Sequence, residues 1–170
     1  MKSGNGTSVV RTGAGPAEVG ATSLISGLEC RVGKAPLAIP VDSIAQIIEY
    51  QTVPLPLARR WIAGIGLHEG RLVLTIRLVG GERPEARDPE PRLTTGILLR
   101  LPRTDIAWAL EVREVMLFVR ATSIERNRPG NSDELPAWIM RATTSDGRSL
   151  GWIDVPAMVA DLTTPEGETR

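Results

Sequence analysis

The feature that most constrains the fold is an approximate internal repeat of short apolar segments. When Arg31 is laid on Arg100, the apolar residues up to Val41 and Leu110 match without a gap. A second stretch matches further on, where these pairs coincide: Trp61–Ile62 with Trp138–Ile139, Gly70–Arg71 with Gly147–Arg148, and Ile76 with Ile153. Two matching stretches in the same order indicate two similar units joined by loops of unequal length.

Each unit consists of segments of strand length. The segments 28–32 and 37–41 flank Gly33–Lys34, which predicts a hairpin, and 97–101 and 106–110 flank a second turn. The apolar residues of 71–78 alternate with the period of a half-buried strand. Because about five strands per unit close most simply as a small barrel, we predict a mostly β protein with two intertwined five-stranded barrels and a groove between them.

Helical patterns are scarce. Asp42 is placed to cap a short helix carrying Ile44, Ile47 and Ile48, and Glu111 is its counterpart in the repeat. Asp154 is placed to cap a last helix from Val155 to Leu162.

Composition marks the ends of the domain. Residues 1–26 are rich in Gly, Ser, Thr and Ala, which predicts a disordered tail. The folded domain is predicted over 27–162, with halves of roughly 27–80 and 94–162, and 163–170 is a second tail. The stretches 80–91 and 125–134 carry prolines and charges and are predicted to be loops.

Charge excludes some partners. Lys and Arg total 20, as do Asp and Glu, so the net charge is zero and a nucleic-acid partner is not expected. A single cysteine forms no intramolecular disulfide, no secretory leader is evident, and no apolar run is long enough to enter a bilayer. We expect a cytoplasmic protein without direct membrane insertion.

Few residues suggest chemistry. His68 is the only histidine and is predicted in a turn, which leaves no set of histidines for a metal site and no evident catalytic partner. Cys30 alternates with Leu28 and Val32, so it is predicted to be a small core residue. Most of the four tryptophans are predicted to pack in the core. We therefore expect no enzyme, cofactor or metal.

The order of these segments resembles the CheW-like domain of bacterial chemotaxis coupling proteins. The likeness lies in the hairpin around Gly33, in 41–48, and in Pro54–Pro56. It continues through the strand that begins with Trp61–Ile62 and the Gly70–Arg71 turn, and ends with Asp146 to Val155. The resemblance implies two SH3-like barrels around a shared hydrophobic core. It also implies a noncatalytic adaptor that links the cytoplasmic tips of methyl-accepting chemoreceptors to the regulatory domain of the histidine kinase CheA, with other CheW-like proteins as further partners. Such an adaptor joins membrane receptor arrays through its partners.

The resemblance also implies site residues. A receptor helix would lie in the groove between the barrels, against Ile44, Ile47, Gly64 and Ile65, where a glycine lets a partner backbone approach closely. The surface for the kinase or another partner would include Gln46, Glu69 and Gly70. His68 in the same turn and the basic pair Arg59–Arg60 are either further contacts on this surface or simply solvated residues.

The chain departs from the family pattern at several of these positions. Members typically have arginine where this chain has Glu69, proline at Leu74, aspartate at Arg77, and often an acidic residue at Gln46. Reversing a charge at a contact changes which partners are tolerated. Two alternatives therefore stay open: a divergent accessory protein that binds receptors or another regulator without the kinase, and a β-barrel that binds a small molecule.

Overall fold

The computed structural model describes residues 24–32, 35–55, 58, 61–78, 90–101, 105–126 and 136–164. The predicted N-terminal tail lies outside these residues up to position 23, but its last residues, Ile25 and Ser26, already belong to the first strand. Most of both predicted loops, the turn at Gly33–Lys34 and the C-terminal residues after Thr164 also lie outside them.

In the described residues, ten strands, one 3-10 turn and one helix follow in chain order. They are β1 (Ile25–Val32), β2 (Ala35–Pro40), the 3-10 turn Val41–Ser43, β3 (Ile44–Pro54), β4 (Ile62–His68), β5 (Arg71–Ile76), β6 (Arg92–Leu99), β7 (Ala107–Glu111), β8 (Glu114–Glu125), β9 (Ile139–Thr144), β10 (Ser149–Ile153) and α1 (Val155–Thr163). This helix is not long and apolar enough to cross a membrane, and the described residues contain no other candidate.

The strands close into two five-stranded barrels, as the repeat predicts. Barrel 1 has the order β1-β2-β10-β9-β8, and barrel 2 has the order β3-β4-β5-β7-β6. The barrels do not coincide with the two sequence halves. Each half contributes its first hairpin, β1–β2 or β6–β7, to the barrel built by the last three strands of the other half. A parallel pair joins the two contributions in each barrel, β2 with β10 and β5 with β7.

The pairing registers also correct the repeat alignment. Leu28 pairs with Ile39 in the first hairpin, and Ile97 pairs with Leu110 in the second. When Leu28 is aligned with Ile97, Ile39 is therefore aligned with Leu110. This position is two residues further along the chain than the ungapped alignment gives for Ile39. The inside and outside faces are preserved because side chains alternate with a period of two.

The short helix predicted after Asp42 is wrong. Only Val41–Ser43 form a 3-10 turn, Asp42 makes no capping hydrogen bond, and Ile44 begins the longest strand of barrel 2. β-branched and aromatic residues dominate 44–54, and they favour a strand over a helix. Glu111 is not a helix start either, because it ends β7. The second predicted helix is confirmed: Asp154 caps α1 by accepting a hydrogen bond from the Ala157 amide at 3.0 Å.

The largest core cluster lies between the barrels and draws on both. Leu28, Leu37 and Ile39 come from barrel 1, whereas Ile76, Ile97 and Leu110 come from barrel 2. Trp61 and Trp138, which the repeat makes equivalent, meet edge to face with centroids 6.5 Å apart. Trp108, Trp138 and Trp152 are buried, so the predicted core role of most tryptophans is confirmed. We call this cluster the inter-barrel core.

Each barrel also has an interior of its own. Trp152 fills barrel 1 with Val119 and Leu150, and Tyr50 fills barrel 2 with Ile48 and Val73. The Tyr50 hydroxyl shares a hydrogen bond with Thr75 at 2.8 Å, although burial still raises the pKa of the phenol.

Barrel 1 contains a buried carboxylate. Glu29 is 2% exposed and receives hydrogen bonds of 3.1–3.2 Å from the Arg148 guanidinium. Arg148 also donates to Asp146 at 2.7 Å, and hydrogen bonds from Thr144 and Arg148 lower the pKa of Asp146 to about 2. The turn between β9 and β10 is thus tied to the barrel interior by charge-assisted hydrogen bonds.

Candidate functional site

Ile44 and Ile47 lie on β3 beside the inter-barrel core. Ile44 is half-buried, packs against this core, and pairs with Leu99. Ile47 pairs with the buried Ile97, but its own side chain is 47% exposed. Both residues therefore lie at the seam between the barrels, although on a strand rather than on the predicted helix.

A β-bulge separates these two residues. Between Ile44 and Ile47, both Ala45 and Gln46 lie opposite Leu98, and both are exposed. The extra residue shifts the alternation of inward and outward side chains after it by one position, which explains why Ile47 faces solvent and Ile48 is buried.

The second half of the chain has the same bulge at the equivalent place. Val115 pairs with Cys30 and Phe118 with Leu28, so Met116 and Leu117 both lie opposite Glu29. Leu117 is 64% exposed and Phe118 75%. We call 44–47 and 115–118 the first and second seam sites. Sequence reasoning misses the second, because the residues of 114–120 have the pattern of a regular strand.

Gly64 and Ile65 do not join the first seam site. Gly64 pairs with Pro54, seven residues along β3 from Ile47, which is about 23 Å at strand spacing. A Cβ on Gly64 would lie 2.2 Å from the Val53 carbonyl oxygen. The close approach that needs this glycine is to β3 itself, so its predicted contact with a partner backbone is not supported. Ile65 is half-buried on the outer surface of barrel 2, opposite Val53.

His68, Glu69 and Gly70 form the tip of the β4–β5 hairpin. Glu69 and Gly70 have φ values of 49° and 77°, as a two-residue turn matching the strand twist requires. The Glu69 side chain is 75% exposed, and its carboxylate lies 3.9 Å from His68 Nε2. Its charge is therefore presented to solvent and is available to a partner.

Gln46 lies apart from this turn, in the bulge at the start of β3. It is exposed, whereas Arg59 and Arg60 lie outside the described residues.

The unusual Arg77 has a local partner. Its guanidinium donates two hydrogen bonds to Glu111, at 2.9 and 3.0 Å, and Arg92 approaches the same carboxylate at 3.7 Å. These three side chains together carry one net positive charge. Glu111 thus compensates the positive charge of Arg77.

A cavity of about 350 Å³ lies beside α1. Trp138 and Met140 line it together with Arg126, Asp154 and Asp161. Two of these polar groups have structural partners: Asp154 caps α1, and Asp161 accepts a hydrogen bond from the Trp138 indole at 3.2 Å. Within the described ranges, no group of His, Cys, Asp and Glu is arranged to hold a metal ion.

Cys30 is fully buried, as predicted, and burial raises the pKa of its thiol to about 12. Because the thiolate is the reactive species, we expect no reaction with an aromatic disulfide reagent in native buffer at pH 8 and complete reaction in denaturant. The absorbance of the released thiol measures both. A Cys30→Ser variant gives the blank, and rapid labelling of the native protein would contradict the buried assignment.

Known proteins share this architecture. The family model for the CheW-like domain matches residues 26–163. Among solved structures, the chain is similar to the scaffolding protein TtCheW from Thermoanaerobacter tengcongensis, with a TM-score of 0.56 and 14% identity, over 78% of this chain and 85% of that one. No curated protein matches the sequence.

Proposed function

Because the chain belongs to the CheW-like domain family, we propose that it is a noncatalytic adaptor coupling the cytoplasmic tips of chemoreceptors to the regulatory domain of a CheA-type histidine kinase. The family is one of scaffolds, and the similar structure is itself described as a scaffolding protein. The proposal assigns receptor binding to the seam sites and kinase binding to the outer barrel surfaces, including the Glu69 turn.

The observation that carries the receptor assignment is the exposure of Ile47, Leu117 and Phe118 at two equivalent bulges beside the inter-barrel core. Folding gains nothing from leaving large apolar side chains in water, so neighbouring exposed ones such as Leu117 and Phe118 indicate a contact surface. An amphipathic receptor helix offers apolar residues at the spacing of successive turns, which suits such surfaces. Phe118, the most exposed, is the expected anchor of the second seam site.

The test measures binding of the full chain to a chemoreceptor-tip fragment and, separately, to a kinase regulatory domain, both encoded in the same genome. We expect Phe118→Asp to weaken receptor binding by roughly 30-fold or more, since truncated anchors typically cost about 2 kcal/mol. Ile47→Asp should act in the same direction. Ile44→Asp is less informative, because Ile44 packs against the core and its loss would also destabilise the fold.

Thr122→Asp is the matched control, since Thr122 is also exposed on β8 but is not apolar. It should bind the receptor fragment like the unmodified chain. Failure of the unmodified chain to bind either partner would overturn the proposal, and normal receptor binding by both seam variants would remove the seam assignment.

Glu69 favours a second candidate, an accessory protein that binds receptors without the kinase. Its exposed negative charge stands where the family has arginine, and like charges across an interface are costly. Kinase binding that appears only with Glu69→Arg would establish this alternative. Equal kinase binding by both forms would exclude Glu69 as a determinant. For the small-molecule alternative we find no support in the barrel interiors, which Trp152 and Tyr50 fill.

A further inference from the structure

The cavity beside α1 has two walls of opposite charge. Arg126 directly follows β8, and Asp154 directly follows β10. These two strands lie on either side of β9, so about 10 Å separates their backbones. A guanidinium and a carboxylate therefore stand on opposite sides of this space. We call it the α1 cavity.

The lining between the two charged walls is apolar. Trp138 is buried and Met140 is half-buried, and the small side chains of Ala137 and Ala157 leave the space in front of them open. Asp161 accepts a hydrogen bond from the Trp138 indole and so fixes the ring beside the cavity. A volume of about 350 Å³ is within the range of sites that hold small molecules.

Barrel 2 has an ion pair at the equivalent place. Arg77 and Asp154 hold the same position in the two barrels, because the amide of each donates a hydrogen bond of 2.9 Å to the carbonyl of the equivalent tryptophan. The Arg77 side chain pairs with Glu111. The hairpin registers place Pro40 in barrel 1 where barrel 2 has Glu111, and proline offers no charge. The fold thus provides a charged partner for this position in barrel 2 and a cavity in barrel 1.

Both charged walls keep groups that can bind a ligand. Asp154 Oδ1 accepts a hydrogen bond from the Ala157 amide at 3.0 Å, and Oδ2 has no hydrogen-bond partner in the described part of the chain. The Arg126 guanidinium makes no hydrogen bond or ion pair with the described residues either. Glu125, next to Arg126, lies opposite Arg141, so a separate positive charge offsets it.

We propose that the α1 cavity binds an α-amino acid with a large apolar side chain. Asp154 accepts hydrogen bonds from the ammonium group, and Arg126 donates hydrogen bonds to the carboxylate. The ligand side chain packs against Trp138 and Met140, which suits an aromatic ring. A zwitterion is complementary to both walls at once, whereas a simple cation is repelled by Arg126 and a simple anion by Asp154. This site goes beyond the coupling function, which needs no small molecule.

Isothermal titration calorimetry of the full chain with L-phenylalanine at neutral pH tests the site. We expect a dissociation constant of about 10 µM to about 1 mM, as is usual for a ligand of this size. Two analogues each lack one charge, since 2-phenylethylamine has no carboxylate and 3-phenylpropanoate has no amino group. Each should bind about tenfold more weakly or worse, because it loses the hydrogen bonds to one charged wall.

Two variants remove the charged walls one at a time. Arg126→Gln removes the guanidinium, and Asp154→Asn removes the carboxylate but keeps the cap of α1, because asparagine caps a helix as well as aspartate. Each should bind L-phenylalanine about tenfold more weakly or worse. The Arg126→Gln variant should also bind L-phenylalanine and 2-phenylethylamine equally, which a merely structural role of Arg126 would not produce. Arg120→Gln, at an exposed position of the same strand, is the control and should bind normally.

No binding of L-phenylalanine at concentrations up to about 10 mM would overturn the proposal. So would binding by Arg126→Gln and Asp154→Asn that equals binding by the unmodified chain. An analogue that binds as tightly as L-phenylalanine would contradict the zwitterionic ligand class. No receptor or kinase is present in the titration, so its outcome is independent of the coupling function.

Discussion

Gly64→Ala is expected to destabilise the protein by about 3 kcal/mol or more, because backbone must move to accept the new methyl group. The added Cβ would lie 2.2 Å from the Val53 carbonyl oxygen and 2.8 Å from Thr52 Cγ2. Both belong to β3, which pairs with β4 at this point. The free energy of unfolding from urea titration measures the loss.

Gly147→Ala provides the control. Gly147 has a φ of 82°, and no atom lies within 4 Å of the position that its Cβ would take. Only the left-handed backbone therefore opposes the change, at about 1–2 kcal/mol. A Gly64→Ala variant with normal stability and lost receptor binding would contradict the packing argument. It would restore the role predicted from the sequence, in which this glycine admits a partner backbone.

Arg148→Met is expected to lower the Tm at neutral pH by about 5 °C or more. The substitution leaves the Glu29 carboxylate in the interior of barrel 1 without its guanidinium partner, and an unpaired buried charge is strongly unfavourable. The loss is smaller than for a fully buried pair because the Arg148 side chain is 48% exposed and is partly screened by solvent. Thermal unfolding followed by circular dichroism measures the difference.

Arg71→Met is the matched control for this effect. Arg71 occupies the same place after the β4–β5 turn, but Leu98 stands where barrel 1 has Glu29, so no buried carboxylate loses a partner. We expect the Tm to change by no more than about 2 °C. Adding Glu29→Leu to Arg148→Met should restore most of the lost stability. Equal decreases in Tm for the Arg148→Met and Arg71→Met variants would show that the buried charge has no special role.

The strands are predictable where apolar and polar residues alternate regularly. Which of the outward-facing residues are buried is harder to predict, because that depends on where the other barrel packs. In β5 the apolar face predicted from 72–78 points out of barrel 2. Its far end, Ile76 and Leu78, is buried in the inter-barrel core, whereas Leu72 is exposed to solvent. The sequence pattern identifies an apolar face, but it does not tell which part of that face another element covers.

The seam sites are harder to predict because a β-bulge interrupts the two-residue alternation of side chains along each strand. Ile44, Ile47 and Ile48 have the spacing of one helix face, and that spacing arises here from a strand with one extra residue. At Leu117 and Phe118, the same extra residue exposes two successive side chains. Ile44 and Ile47 are nevertheless predicted as contact residues through the family resemblance, which does not depend on the local period.

Each half of the chain gives its first hairpin to the barrel of the other half, and this arrangement also sets the order in which the two barrels can assemble. All strands of barrel 2 lie within residues 44–111, whereas barrel 1 joins 25–40 to 114–153. During synthesis barrel 2 can close as soon as β7 has emerged, while β1 and β2 must wait for β10, more than a hundred residues later. Closing that long loop is entropically costly and slow. Barrel 1 is thus the late-folding part of the chain, and a chain truncated before β10 would leave the first hairpin without its final partner.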